Sequence, residues 1–559
     1  QTLRQIARLE GSYWPACEIL DWPALAYRGV MLDVSRGKVP TLQTLKEIVD
    51  CLAFFKMNVL QLYTEHTFDF VSHPAIGRGT DPLTSEDMLV LDRYAREQGV
   101  QLMPNLNCFG HCSHLLSLPQ YAHLAESAVP WTLTPVDEGT YALLGNLLDD
   151  MLPSFSCRTL NAGCDETWDL GLGRSASLAA EIGVGRVYLG HLLRLHDLAS
   201  ARGCRVQFWG DILLHHPELV GELPDDVTLL DWHYEAQESY SSLDVFAQSG
   251  RRFWVCPGTS SWNTLYPRIE NANGNIRTLA RLAAEHGGEG LLNTDWGDHG
   301  HYQPIGQSWY GYLYGGEQAW AGGQTPDEVF DANLGRLFFG PAGQQIVEAV
   351  RALGRLNALE GMPLRNASRS VYMLLDEPLV GEATPEIPAE TLREIERVAG
   401  EAEATLRTHL GAAEHPEDLE DLAFSARLMG YAARKAMACL ALRDDVRALG
   451  AGQGEAEAIL SRGVETLRAL ETELAALTER FREVWLARAR HSEIGISLGY
   501  LTGLRARLAR AGEWFAARLA EARRGETPAL GLEDYEREAA DYFILGQRGA
   551  RRWRELGLR

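Results

Sequence analysis

Apolar positions along this chain fall into two regimes. Between residues 27 and 320, eight short apolar runs of strand character recur: Arg28–Val34, Asn58–Tyr63, Val100–Leu106, Thr159–Gly163, Arg205–Trp209, Thr228–Trp232, Arg252–Cys256 and Gly290–Thr294. Helix-length amphipathic segments separate most of them, for instance Leu42–Phe55, Glu86–Gln98, Val187–Ala201 and Ile276–His286. Strand–helix alternation repeated eight times predicts an α/β fold, a (β/α)8 TIM barrel. Around residues 341–390 the pattern changes. Eleven of the chain's 14 tryptophans precede this stretch, and the sequence beyond it is rich in Ala, Leu, Arg and Glu. There Val464, Leu467, Leu470, Leu474, Leu477, Phe481 and Val484 recur at spacings of three and four, the stripe of an amphipathic helix. An α-helical C-terminal domain is therefore expected, several long helices packed as a bundle and entered through the loop Asp376–Pro388. Such a stripe is more often core than a partner-binding face.

With 559 residues and 46% hydrophobic content, the chain can bury two or more cores. Its formal charge of −24 argues against nucleic acid or an anionic membrane as partner. No run approaches the length of a membrane-spanning helix. The nine cysteines are scattered and mostly in apolar contexts, as at Cys51, Cys204 and Cys256, the pattern of reduced thiols in a cytoplasmic protein. No cofactor is implied. Cys108-Phe-Gly-His-Cys-Ser-His114 fits no standard zinc spacing, so no metal is expected, and Gly171-Leu-Gly173 is too short for a phosphate loop.

In a barrel of this kind the chemistry sits at the C-terminal strand ends. Polar and aromatic residues stand there after nearly every run: Glu65, His111, Asp165, Glu166, Trp209, Asp211, Trp232, Tyr234, Asp295, Trp296 and Asp298. The most telling stretch is Arg158-Thr-Leu-Asn-Ala-Gly-Cys-Asp-Glu166, a short apolar run ending in two adjacent carboxylates, with Trp168 just beyond. Two acids at a strand end near aromatics suit chemistry on a sugar. One can protonate the leaving oxygen while the other stabilises positive charge developing nearby.

This stretch resembles the His/Asn-x-Gly-x-Asp-Glu signature of glycoside hydrolase family 20, the exo-acting β-N-acetylhexosaminidases. Two further segments agree, in family order: Tyr27-Arg-Gly-Val-Met-Leu-Asp-Val-Ser-Arg36 followed by Met57-Asn-Val-Leu-Gln-Leu62, and Phe109-Gly-His111. The likeness runs from about Thr2 to about Gly340. It implies that residues 1–22 are the tail of a missing small N-terminal α+β domain, 23–345 the catalytic barrel and 346–559 the helical domain. It also implies removal of terminal GlcNAc or GalNAc by substrate-assisted retention through an oxazolinium intermediate, with Glu166 as general acid and Asp165 holding the acetamido N–H.

By the same resemblance, Arg28 binds the 3- and 4-hydroxyls of the terminal sugar, its alternative being an interior ion pair with an acid such as Asp33. His111 relays to the acid through an acidic partner, and since Thr64-Glu65 replaces the family's Asp-Asp, Glu65 is the candidate. Trp209, Trp232 and Trp296 line the pocket, and Asp298 binds the 4- and 6-hydroxyls. Asn161 stands where many members have His. The family tyrosine that donates to the acetamido carbonyl has no clear match in Gly258-Thr-Ser-Ser-Trp-Asn-Thr-Leu-Tyr266. Tyr234 and Tyr266 are candidates, with Trp262 and Asn263 as alternatives. Partners implied are glycans or glycoconjugates ending in an N-acetylhexosamine, and a homodimer stays open. Two other readings compete: a conventional retaining β-glycosidase with Asp295 or Asp298 as nucleophile, and an inactive sugar-binding barrel.

Overall fold

All eight apolar runs form strands: β1 Tyr27–Asp33, β2 Val59–Tyr63, β3 Gln101–Met103, β4 Thr159–Asn161, β5 Arg205–Trp209, β6 Thr228–Trp232, β7 Arg252–Cys256 and β8 Gly290–Asp295. The computed structural model describes residues 1–14, 16–532 and 535. The strands are parallel and ordered β3-β2-β1-β8-β7-β6-β5-β4. The seam closes between β3 and β4, where Asn161 N–H donates to Pro104 O (2.9 Å) and Leu106 N–H to Asn161 O (2.9 Å). The sheet is therefore a (β/α)8 barrel. β3 is shorter than expected because Pro104, which follows it, has no N–H for the ladder.

Apolar side chains of Met31, Val59, Met103, Leu230, Trp254 and Leu292 fill the barrel interior. Around the seam the filling is polar instead. Gln61 Nε2 donates to Gln207 Oε1 (3.0 Å), while Asn105 and Asn161 each donate an amide hydrogen to Gln61 Oε1 (3.0 and 2.9 Å). These bonds pair most of the buried amide groups, while Asn105 Oδ1 and Gln207 Nε2 have no partner among the described residues.

The helix predicted to begin at Ile276 begins at Ile269. Its first turns carry Asn271 and Asn275, which interrupt the apolar period because they bond the loop after β6, to Tyr234 O (2.6 Å) and to the Tyr240 hydroxyl (2.9 Å). Helix Ile305–Ala321 packs on β1 and β8 and joins the barrel to a mainly helical C-terminal region. Four long helices dominate it: α1 Ala389–His409, α2 Pro416–Gly450, α3 Ala456–Arg488 and α4 Ile494–Arg523. Of the predicted stripe on α3, every member except the half-buried Val464 is buried. The nine cysteines are unpaired, with Cys17 exposed, Cys51 and Cys157 half-buried and the others buried. Among the described residues no helix is long and apolar enough to cross a membrane.

Candidate active site

The turn after β4 carries the two acids on a strained backbone. Gly163, Cys164 and Glu166 all have positive φ (68°, 73° and 49°), and two of these are not glycine. The surroundings pin that conformation. The Tyr188 hydroxyl donates to Cys164 O (2.8 Å), Trp131 Nε1 donates to Glu166 O (2.7 Å), and Glu166 N–H donates to Asp211 Oδ2 (3.1 Å). Gly110, in the loop after β3, is required by packing, since a Cβ there would stand 2.2 Å from Asp165 O. The result sets the carboxylates apart: the Asp165 side chain is 8% exposed and that of Glu166 30%.

His111 lies between them. Its Nε2 is 3.2 Å from Asp165 Oδ2 and 3.4 Å from Glu166 Oε2, and its ring sits 4.5 Å from that of Trp131. Burial opposes a charge on His111, but Asp165 and Glu166 outweigh it and push His111 up to about 10. Burial likewise opposes the Asp165 charge, and the facing His111 overcomes it, holding the carboxyl below the usual carboxylate value. Asn107 Nδ2 adds a hydrogen bond to Asp165 Oδ1 (3.3 Å). Asp165 and His111 thus face each other as an opposed pair, the negative charge favoured on Asp165 and the proton on His111. Burial and the Asp165 charge push the neighbouring Asp211 up to about 7.

A second layer centres on Arg36, just beyond β1. Its guanidinium is 3.2 Å from Glu65, 3.3 Å from Asp33 and 4.0 Å from Asp298, and it lies over the rings of Tyr63 and Trp296 (4.7 and 5.3 Å). Burial opposes the Arg36 charge, yet these facing groups raise its pKa above the ordinary arginine value. Burial pushes Asp33 up to about 6 against the pull of Arg36. Glu65 also accepts from the Tyr63 hydroxyl (2.8 Å) and stands 4.0 Å from His111 Nδ1. The nitrogen–nitrogen approach of Arg36 to His111 Nδ1 is 3.2 Å.

Aromatic rings form the remaining wall. Trp296 meets Tyr63 edge-on (4.7 Å) and lies 6.3 Å from Trp209, while Trp232 stacks on Tyr234 (5.2 Å). Trp296 Nε1 donates to the Tyr234 hydroxyl (2.9 Å). The indole N–H groups of Trp209 and Trp232 are buried with no partner among the described residues. Trp262 stands behind Tyr234, edge-on at 5.0 Å, its own N–H taken by Asn366 (3.1 Å).

The structure thus brings together Asp165, Glu166, His111, Glu65, Asp298, Trp209, Trp232, Trp296 and Tyr234, with Trp262 as backing. Tyr266 is fully buried in the main core. Arg28 is not brought to the site. It stands at the start of β1, and parallel strands carry that end to the opposite rim. Its guanidinium donates to Leu25 O (2.8 Å), Ala26 O (2.9 Å) and Lys56 O (2.8 Å) and lies 5.0 Å from the Trp320 ring. It does not pair with Asp33 either; Arg36 does. Arg36, Tyr63, Asn107 and Trp131 were not foreseen. Counting positions past the strand end would have found the first, whereas nothing local marks Trp131. Asp295 is buried, its oxygens taken by Thr259 (3.1 Å), Tyr312 (2.6 Å) and Ser261. The thiols of Cys108 and Cys112 turn to the carbonyls of Leu106 and Gly110.

Comparison with known proteins points the same way. Residues 25–262 match the profile described as Glycosyl hydrolase family 20, catalytic domain. Human Hexosaminidase D is 24% identical over 299 residues, covering 50% of this chain and 61% of that protein. A Beta-hexosaminidase of Vibrio furnissii is 24% identical over 296 residues, covering 45% of this chain and 48% of that protein. The chain therefore spans about half to three-fifths of the length of these curated relatives. The crystal structure of a beta-N-acetylhexosaminidase from Bacteroides fragilis superposes with a TM-score of 0.47 at 20% identity, covering 57% of this chain and 71% of that one. The barrel's three motifs and the profile agree: residues 25–262 are similar to the catalytic domain of glycosyl hydrolase family 20.

Proposed function

We propose that the chain is an exo-acting β-N-acetylhexosaminidase, releasing terminal GlcNAc or GalNAc from glycans or glycoconjugates by substrate-assisted retention. The observation that carries this reading is the inequality of the adjacent acids, Asp165 buried and facing His111, Glu166 more exposed. In the reaction the substrate's acetamido oxygen attacks C1 as the glycosidic C–O bond breaks. Glu166 gives its proton to the departing oxygen, and the positive oxazolinium N–H faces the Asp165 carboxylate, which orients it and stabilises its charge. Water then attacks C1, returning a proton to Glu166 and restoring the acetamide with net retention.

The rest of the site supports sugar binding. Arg36, Glu65 and Asp298 present charged groups suited to hydroxyls. The rings of Trp209, Trp232 and Trp296 suit the acetamido methyl and the apolar sugar face. Tyr234, held by Trp296, takes the part of the hydroxyl donor to the acetamido carbonyl.

The test compares chromogenic β-GlcNAc and β-glucoside substrates, then adds a 2-fluoro glycoside designed to trap a carboxylate. Hydrolysis of the acetamido substrate alone, without a covalent label, is expected. A labelled peptide containing Asp295 or Asp298 would establish the conventional retaining route instead.

A further inference from the structure

The turn between α3 and α4, in the helical region, lies on the loops that follow β1 and β2. Arg490 N–H donates to Val39 O (2.7 Å) and Glu493 N–H to Gly37 O (3.0 Å). The Ser492 hydroxyl donates to Gly37 O (3.0 Å) and stands 3.3 Å from Val39 N–H as acceptor. Arg490 reaches further, to Asp87 (2.7 Å) and Pro82 O (2.9 Å). The Glu493 carboxylate meets His66 Nε2 at 3.3 Å; burial opposes its charge, and the hydrogen bond with His66 holds it below its usual value. Lys38, inside the clamped loop, donates to Gln303 O (2.7 Å) and sits 4.4 Å from the Trp485 ring of α3.

His66, His114 and Glu493 bring metal-type donor atoms within 4.8 Å of one another. However, the imidazoles stack at 4.0 Å with 7° between their planes. In-plane lone pairs of two parallel rings do not converge on one ion, so the cluster works as a brace and not as a ligand set. What it braces is specific. Gly37 directly follows Arg36, and His66 directly follows Glu65. The Arg36–Glu65 pair therefore has each partner braced one residue away, Gly37 by Ser492 and Glu493 and His66 by Glu493.

We propose that Ser492 and Glu493 are positioning residues for the barrel's sugar site, setting the Arg36–Glu65 pair against His111 and the Asp165–Glu166 turn. The proposal rests on the hydrolase reading for its kinetic readout. The experiment uses the full chain with Ser492→Ala, Glu493→Gln and the double variant. kcat and KM are measured on a chromogenic β-GlcNAc substrate, with amide exchange of residues 36–39 and thermal unfolding alongside. Looser placement should lower kcat/KM about tenfold in the double variant, chiefly through KM. Exchange at Val39 should quicken, with Tm within about 3 °C of wild type. Glu483→Gln, an exposed α3 residue paired with Arg480 (2.9 Å), is the control and should leave all three unchanged. Wild-type kcat/KM with wild-type exchange in the double variant overturns the proposal, as does a loss matched by the unfolded fraction. If the double variant does not fold, Ser492→Ala, which removes one hydroxyl, carries the same outcomes. A wild-type chain inactive on the substrate sinks the hydrolase reading instead, and the exchange data alone then decide whether the turn holds the loop.

Discussion

Neighbouring acids with unequal surroundings can share one reaction without sharing a role. In the proposed reaction Glu166, the more exposed, protonates the leaving group, so Glu166→Gln should cut turnover roughly 10²–10⁴-fold. The loss should shrink for phenolates that depart without a proton, and a uniform loss across a leaving-group series would remove Glu166 from the role. His111 provides a test of the electrostatics. Its folded pKa is about 10 against an ordinary 6.5. A group raised in this way contributes stability that is fully present below about pH 6.5 and is lost as pH climbs through about 10. The difference in unfolding free energy between wild type and His111→Gln should therefore narrow as pH rises across that window, followed by denaturant titration. A gap that stays constant there would mean that His111 is not held as a cation.

Among the elements, direction along a strand decides what a residue does. Arg28 and Arg36 belong to one motif, yet β1 carries them to opposite rims. Replacing each by Ala should separate them. Arg28→Ala strips three backbone carbonyls of their donor and should cost about 1–3 kcal/mol of stability while folded enzyme keeps its kcat/KM. Arg36→Ala should lower kcat/KM on the order of 10²-fold. The reverse pattern, in parallel melts and kinetics, would return the sugar contact to Arg28. This pair also shows how far sequence reading reaches. The strands were legible because a buried parallel barrel needs continuous apolar runs. The Asp165–Glu166 pair was legible because it follows such a run at once. Trp131 and Asn107 were not, because they act through backbone groups and hydrogen bonds across long separations. Tyr234 and Tyr266 could be told apart only in three dimensions, where Tyr234 meets Trp296 and Trp232 and Tyr266 is sealed in the main core.

At the scale of the whole molecule, the helical region is expected to contribute order to the barrel's rim and not merely bulk, as the α3–α4 turn suggests. Beside the backbone bonds that close the barrel lies a polar cluster, the amides of Gln61, Asn105, Asn161 and Gln207. Directional bonds there select one register where apolar packing alone would tolerate slippage. The thiols carry a practical consequence. Cys108, Cys112 and Cys164 surround the acidic turn, but burial keeps them protonated, with Cys108 pushed up to about 12. Thiolate is the reactive form, so these three are chemically quiet. The half-buried Cys51 and Cys157 are raised as well, chiefly by burial. A maleimide in native buffer should therefore couple to the exposed Cys17 with turnover intact, and Cys17→Ser should abolish the coupling. Label found on Cys164, or lost turnover, would contradict this. The molecule offers one ready-made tether, far along the chain from the acids, for fixing it to a surface in a single orientation.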